Sequence, residues 1–157
     1  MISREVAMRV LFATDGGKQC DAAIETLKLL ALREGDEIKI ISVIDVALPM
    51  AIDIYGGYLP DTTELEKTAR ENAAKILAET ADKLKEFVSV RGLSLSSDVL
   101  FGSPDSRIVE TAEEWHADLI IVGSHGYSRW ERLLLGSVSD SVVHHAPCSV
   151  FVVRSAV

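Results

Sequence analysis

Cysteine is nearly absent from this sequence of 157 residues. The two that occur, Cys20 and Cys148, are too few and too far apart for a disulfide framework or a metal cluster. Positive charge is also in deficit: 16 Lys and Arg stand against 24 Asp and Glu, a formal net charge of −8. Domains that grip nucleic acid through its phosphates concentrate Lys and Arg, so the balance argues against that partner. It leaves open one small phosphate ligand, which needs only a local site. No run of 18 apolar residues occurs, and Met1–Val6 opens without an apolar core of signal-peptide length, so neither a membrane span nor a secretory leader is expected. There is no internal repeat and no linker rich in Gly, Ser or Pro. A Gly-x4-Gly-Lys-[Ser/Thr] loop is missing, as is an acid cluster that would hold a catalytic metal, and Asp15 lacks the acidic neighbours of a receiver-type phosphoacceptor. Nothing points to a strong phosphoryl-transfer centre.

What is present is the composition of a globular protein, 48% hydrophobic and 25% charged. Domains run about 100–200 residues, and a chain of this size buries roughly 70% of its unfolded surface, so one domain over 1–157 is expected without staples. A soluble protein of the reducing cytoplasm is the default.

Five short apolar runs alternate with helical patterns. The runs are Met8–Thr14, Glu37–Ile44, Leu95–Phe101, Asp118–Val122 and Ser149–Val153. Each is bounded by turn residues and too short for a helix. The third is polar and alternating, as an edge strand would be; the fourth is apolar throughout and predicts a strand buried on both faces. Between the first two, Ala23, Ile24, Leu27, Leu30 and Ala31 recur at helical spacing over Cys20–Arg33, with Gly35 as the stop. Residues 62–91 carry Leu65, Ala69, Ala73, Ile76, Leu77, Thr80, Leu84, Phe87 and Val88 on one face. Ser103-Pro104-Asp105 supplies a cap, a first-turn proline and an acid at a helix start. Ile108, Val109, Ala112 and Trp115 form the buried stripe that follows, and a last helix is predicted over Ser139–His145. Strict β-α alternation implies a parallel sheet with right-handed crossovers and helices on both faces. Ligands of such sheets bind beyond the carboxyl ends of the strands, which directs attention to Thr14–Gly17, Val43–Val46, Phe101–Ser103 and the chain from Gly123 onward.

The stretch Gly123–Ser139 is the richest in chemistry. Gly123 and Gly126 let backbone approach a ligand and permit positive φ. Gly136, Ser137, Val138 and Ser139 present backbone N–H groups and two hydroxyls at a helix start, where the dipole favours anions. Any one of these glycines is explained as a turn; three on one connection at a strand's carboxyl end point to phosphate.

The spacing Gly123-x2-Gly126-x9-Gly136-Ser137 resembles the nucleotide-binding signature of the universal stress protein family. The resemblance extends through Gly102-Ser-Pro, Ala117–Gly126, Leu134–Ser139 and His145–Val153, and more loosely through Val10–Gly16. It implies a Rossmann-like fold of the adenine nucleotide alpha hydrolase-like kind, a five-stranded sheet of order 3-2-1-4-5. It also implies an ATP-binding module in stress response or signalling, with Mg²⁺ or Mn²⁺ as an optional companion held through phosphate oxygens and water. By position, Ala13, Thr14 and Asp15 close the first strand, with Asp15 facing the adenosine. Val43 would meet the adenine edge; Gly123 and Gly126 would pass beneath ribose and phosphates; Gly136, Ser137, Val138 and Ser139 would hold phosphate. The sequence departs from the family pattern at Gly17, where a serine is common, at Ala13, where a proline is common, and at Trp130. A slow ATPase or phosphotransfer enzyme, and a nucleotide-free dimerisation protein, are the competing functions.

Several residues have two readings. Asp15 either serves the nucleotide or only caps the first helix or makes its turn. His125 either touches the ligand or is a solvated loop residue. Arg129 and Arg132 either bring charge to phosphate or sit on a helix surface. His144 and His145 are adjacent, about 100° apart on a helix, and cannot chelate one metal. Cys20 is a small residue near a helix start, and Cys148 and Trp115 read as packed. Residues 46–61 make a long apolar connection on the ligand side, either a lid or partner surface or a disordered link. The final run Ser149–Val153 is an unguarded sheet edge that invites pairing with another chain, and the resemblance implies an antiparallel homodimer there.

Overall fold

The computed structural model describes residues 6–45, 62–124 and 135–154. Its elements are β1 (Arg9–Ala13), α1 (Gln19–Lys28), β2 (Glu37–Ile44), α2 (Thr62–Arg91), β3 (Ser94–Phe101), α3 (Pro104–Trp115), β4 (Leu119–Gly123), α4 (Ser137–His145) and β5 (Ser149–Val153). The strands form one parallel sheet in the order β3-β2-β1-β4-β5, with Ala13 of β1 flanked by Ile41 of β2 and Val122 of β4. This is the open α/β arrangement and the strand order expected.

Alternation along the strands divides the core in two. Val10, Phe12, Ile38, Ile40 and Ile121 pack on one face with Ala23, Ile24 and Leu27 of α1 and Leu77 and Leu84 of α2. Leu11, Ala13, Ile41, Ile120 and Val122 pack on the other with Ile108 and Ala112 of α3 and Val142 of α4. Both faces of β1 and β4 are therefore covered, which is why those runs are apolar throughout. Each fully buried Leu, Ile or Phe contributes about 1.5–3 kcal/mol relative to exposure. The outer strands differ: β3 exposes Ser94, Ser96, Ser97 and Asp98, and β5 exposes Ser149 and Phe151.

Some boundaries and burials differ from the sequence expectation. The first helix ends at Lys28 rather than Arg33, and Leu29 is 86% exposed. The buried carboxylate of Asp36 accepts hydrogen bonds from the backbone N–H of Met8 (2.8 Å) and Arg33 (2.7 Å), fixing the turn that draws the chain off the helix. Leu65, expected on the buried stripe, stands exposed near the start of α2. Trp115 is only half-buried, with the Lys39 ammonium 5.0 Å from its ring centroid. Helix α4 starts at Ser137, two residues early.

Parallel strands deliver all their carboxyl ends to one edge of the sheet, and the helix N-termini with them. The strand order reverses between β1 and β4, so a crevice opens there.

Candidate functional site

The crevice is a cavity of about 620 Å³, within the range of small-molecule sites. Nine expected site residues line it: Ala13, Thr14, Asp15, Val43, Gly123, Gly136, Ser137, Val138 and Ser139. The other three, His125, Gly126 and Arg129, lie outside the described residues, as do Trp130, Arg132 and the connection 46–61.

The floor after β1 is a tight turn built by its own side chains. Thr14 Oγ1 accepts the Gly16 N–H (3.1 Å) and Asp15 Oδ1 accepts the Gly17 N–H (2.9 Å). Asp15 does not cap α1: the N-cap position is Lys18, without a side-chain cap hydrogen bond. Its carboxylate shapes the turn and stands exposed at the cavity. Gly16 has φ +74°, and a Cβ there would lie 2.8 Å from Cγ1 of Ile76 on α2, so both conformation and space demand glycine.

One wall is apolar. Ile41, Val43, Ile108, Val122 and Val138 belong to, or pack against, the core on the α3/α4 face. The α4 N-terminus completes that side. Gly136 is its N-cap in extended conformation with no side-chain cap hydrogen bond, and the first helical bond runs from the Asp140 N–H to the Gly136 carbonyl (2.8 Å). The N–H groups of Ser137, Val138 and Ser139 thus have no acceptor within the helix. Of the two hydroxyls expected as extra donors, that of Ser139 is buried and donates to the Gly136 carbonyl (3.0 Å), while Ser137 is exposed. Of these two, Ser137 is the one whose side chain stands exposed beside the cavity.

Lys18 and Gln19, at the start of α1, face the opposite rim with Gly17 and Cys20; none of these four was singled out from sequence as a ligand residue. Their signal was their place just beyond the first strand's carboxyl end. The Gln19 carboxamide lies over Gly123, whose missing Cβ would sit 2.7 Å from Gln19 Oε1. Cys20 Sγ is 3.7 Å from Thr80 Oγ1. Behind the cavity, Asp105 accepts hydrogen bonds from the hydroxyls of Ser103 (2.6 Å) and Ser141 (2.7 Å). These bonds, with one from the Ser106 N–H, hold its carboxyl below the usual value of 3.8. Ser103 therefore spends its hydroxyl on Asp105 while its backbone forms the N-cap of α3. Cys148 is half-buried and its thiol is pushed up by burial. Among the described residues no three His, Cys, Asp or Glu side chains gather to hold a metal ion. His144 and His145 instead place Nδ1 2.8 Å from the carbonyls of Asp140 and Ser141.

The cavity thus joins an apolar slot to an uncapped helix N-terminus and a polar turn. The universal stress protein family model matches residues 7–154. A Staphylococcus aureus strain USA300 protein bearing the universal stress protein name is 34% identical over 148 residues, which cover 93% of this chain and 83% of that one. A universal stress protein solved in complex with cAMP superposes with a TM-score of 0.62 at 22% identity, covering 97% of this chain and 100% of that one. An Arabidopsis thaliana family protein solved with AMP gives a TM-score of 0.61 at 17% identity, covering 95% and 92%. By its family model and by its relatives, the chain belongs to the universal stress protein family.

Proposed function

We propose that this protein binds an adenine nucleotide, ATP in the first instance, in the crevice between β1 and β4, as a stress-response or signalling module of the cytoplasm. The observation that carries this reading is the pairing of an apolar slot, Ile41, Val43, Ile108 and Val122, with the uncapped N-terminus of α4 in one cavity. A purine ring needs the first and a phosphate the second. The structural neighbours solved with cAMP and AMP share adenosine and one phosphate as the chemistry bound, which supports the same reading here. Val43 meets the base edge, Asp15 the adenosine, and Gly136 to Ser139 the phosphates. Beyond the described residues, His125, Gly126 and Arg129 extend the phosphate side. Where Mg²⁺ or Mn²⁺ accompanies ATP, phosphate oxygens and water are its ligands. A homodimer through β5 completes the proposal.

Equilibrium dialysis with radiolabelled ATP tests the reading. Saturable binding by the wild type, weakened by Gly136→Val with the circular dichroism spectrum unchanged, is expected. No binding at millimolar nucleotide, or equal affinity in the variant, would overturn it.

A further inference from the structure

Gln19 presents a polar atom that the described residues leave unsatisfied. Its Oε1 is shielded from solvent and, among the described residues, meets no hydrogen-bond donor. A buried acceptor without a partner is costly, which is why such atoms are rare and cluster at working sites. The carboxamide is also in an unusual place. It lies against Gly123, where any Cβ would come within 2.7 Å of Oε1 and 3.3 Å of the Gln19 Cβ. Both residues line the cavity between β1 and β4. Glycine at the end of β4 thus provides the space in which this carboxamide stands.

The sheet order indicates which ligand group Gln19 would meet. Val43 lies on the β2 side of β1, whereas Gly123 lies on the β4 side. With the base in the apolar slot near Val43, Gln19 is across β1 from the base edge, towards the sugar and phosphates. A carbonyl oxygen repels phosphate oxygens, whereas a sugar hydroxyl is a donor it can accept from. Resting on the nucleotide reading above, we infer that Gln19 is a specificity-determining residue whose Oε1 accepts a hydrogen bond from a ribose hydroxyl, so that the site prefers ribonucleotides. The side chain turns about its own rotatable bonds from Gly123 towards the sugar, exchanging an unpaired state for a paired one.

Calorimetric titration of the wild type, Gln19→Leu and Gln19→Glu with ATP, 2′-deoxy-ATP, 3′-deoxy-ATP and inosine triphosphate tests this. The wild type should bind ATP about fivefold more tightly than at least one deoxy analogue, the worth of one hydrogen bond between neutral groups. Gln19→Leu should lose that ratio; Gln19→Glu, which keeps an acceptor in place, should retain it whatever its effect on overall affinity. The ratio of ATP to inosine triphosphate should be the same in wild type and Gln19→Leu. Equal binding of ATP and both deoxy analogues by the wild type would overturn the inference, as would a ribose preference that survives in Gln19→Leu. So would a Gln19→Leu effect confined to the adenine 6-amino group. If the wild type binds no nucleotide, the parent reading fails and takes this one with it; binding without a Gln19-dependent ribose preference sinks this inference alone.

Discussion

The carboxylate of Asp105, in the first turn of α3, accepts a hydrogen bond from the hydroxyl of Ser141 on α4, 36 positions further along the chain and 2.7 Å away. Ser103 donates to the other oxygen at 2.6 Å. This pair of bonds ties the start of α3 to the helix whose N-terminus closes the cavity. The folded carboxyl titrates below its ordinary 3.8, so its contribution is fully present above 3.8 and is lost as pH falls through the folded value. Asp105→Asn should therefore lower unfolding free energy by about 1 kcal/mol near neutrality, a discounted figure for partly solvated bonds. Urea titrations should show the gap between variant and wild type closing in the acid range below 3.8. A gap that persists there would mean that the carboxylate charge is not what holds α4.

Gly16 is a second point where the site and the fold meet. Its φ of +74° places it in the left-handed region, and Ile76 closes off the space a side chain would need. Gly16→Ala should cost about 2–3 kcal/mol, part from the conformation and part from the collision. In an Ile76→Ala background the collision is gone, and the same change should cost only about 1–2 kcal/mol. Denaturant unfolding of the four proteins measures the coupling. Strict additivity would show that α2 does not press on this turn.

Periodicity and turn chemistry were enough to find every strand among the described residues, the full span of α2, and the edge of the sheet where the cavity opens. They sufficed because those features are local: alternation along β2, Gly92 after α2, Pro104 at the start of α3. Most of what was missed depended on residues apart in sequence. The apolar spacing of α1 continues through Leu30 and Ala31, but the helix closes after Lys28 with bonds from the Leu29 and Leu30 N–H groups to the Thr26 and Leu27 carbonyls, and Asp36 then holds the following turn to Met8 and Arg33. Ser139 is the exception: its hydroxyl turns back only three residues to the Gly136 carbonyl, a local bond open to a serine in a helix's first turn but not fixed by the residue pattern. Gln19 went unnoticed because its neighbour is distant in the chain. Its meaning comes from Gly123, on a strand more than 100 positions later, and no pattern within α1 encodes that approach.

The N-terminus of α4 allows stability and binding to be driven in opposite directions. Ser137 is exposed in its first turn, and the helix has no side-chain cap. Ser137→Asp adds a negative charge where the helix dipole favours one, which should stabilise the fold by about 0.3–1 kcal/mol. The same charge would repel a phosphate, so ATP affinity should fall about tenfold or more. Thermal unfolding and equilibrium dialysis on the same preparation provide the check. Unchanged affinity alongside a raised melting temperature would place the phosphates away from this helix.

Among the described residues, strand β5 pairs with β4 alone, leaving its outer row of backbone groups without a strand partner in the sheet. Its residues Ser149, Val150, Phe151, Val152 and Val153 carry no charge, and Phe151 is 42% exposed. Such an edge is a template for another chain, and a two-fold pairing would set the same strand antiparallel against its copy. Because the Phe151 side chain already reaches solvent, Phe151→Lys should leave the monomer fold intact while setting two like charges near the two-fold axis. Multi-angle light scattering at micromolar concentration should give a dimer mass for the wild type and a monomer mass for the variant, both with the same circular dichroism. A monomeric wild type would remove the β5 pairing outright, and a dimeric variant would move the interface to another face of the molecule.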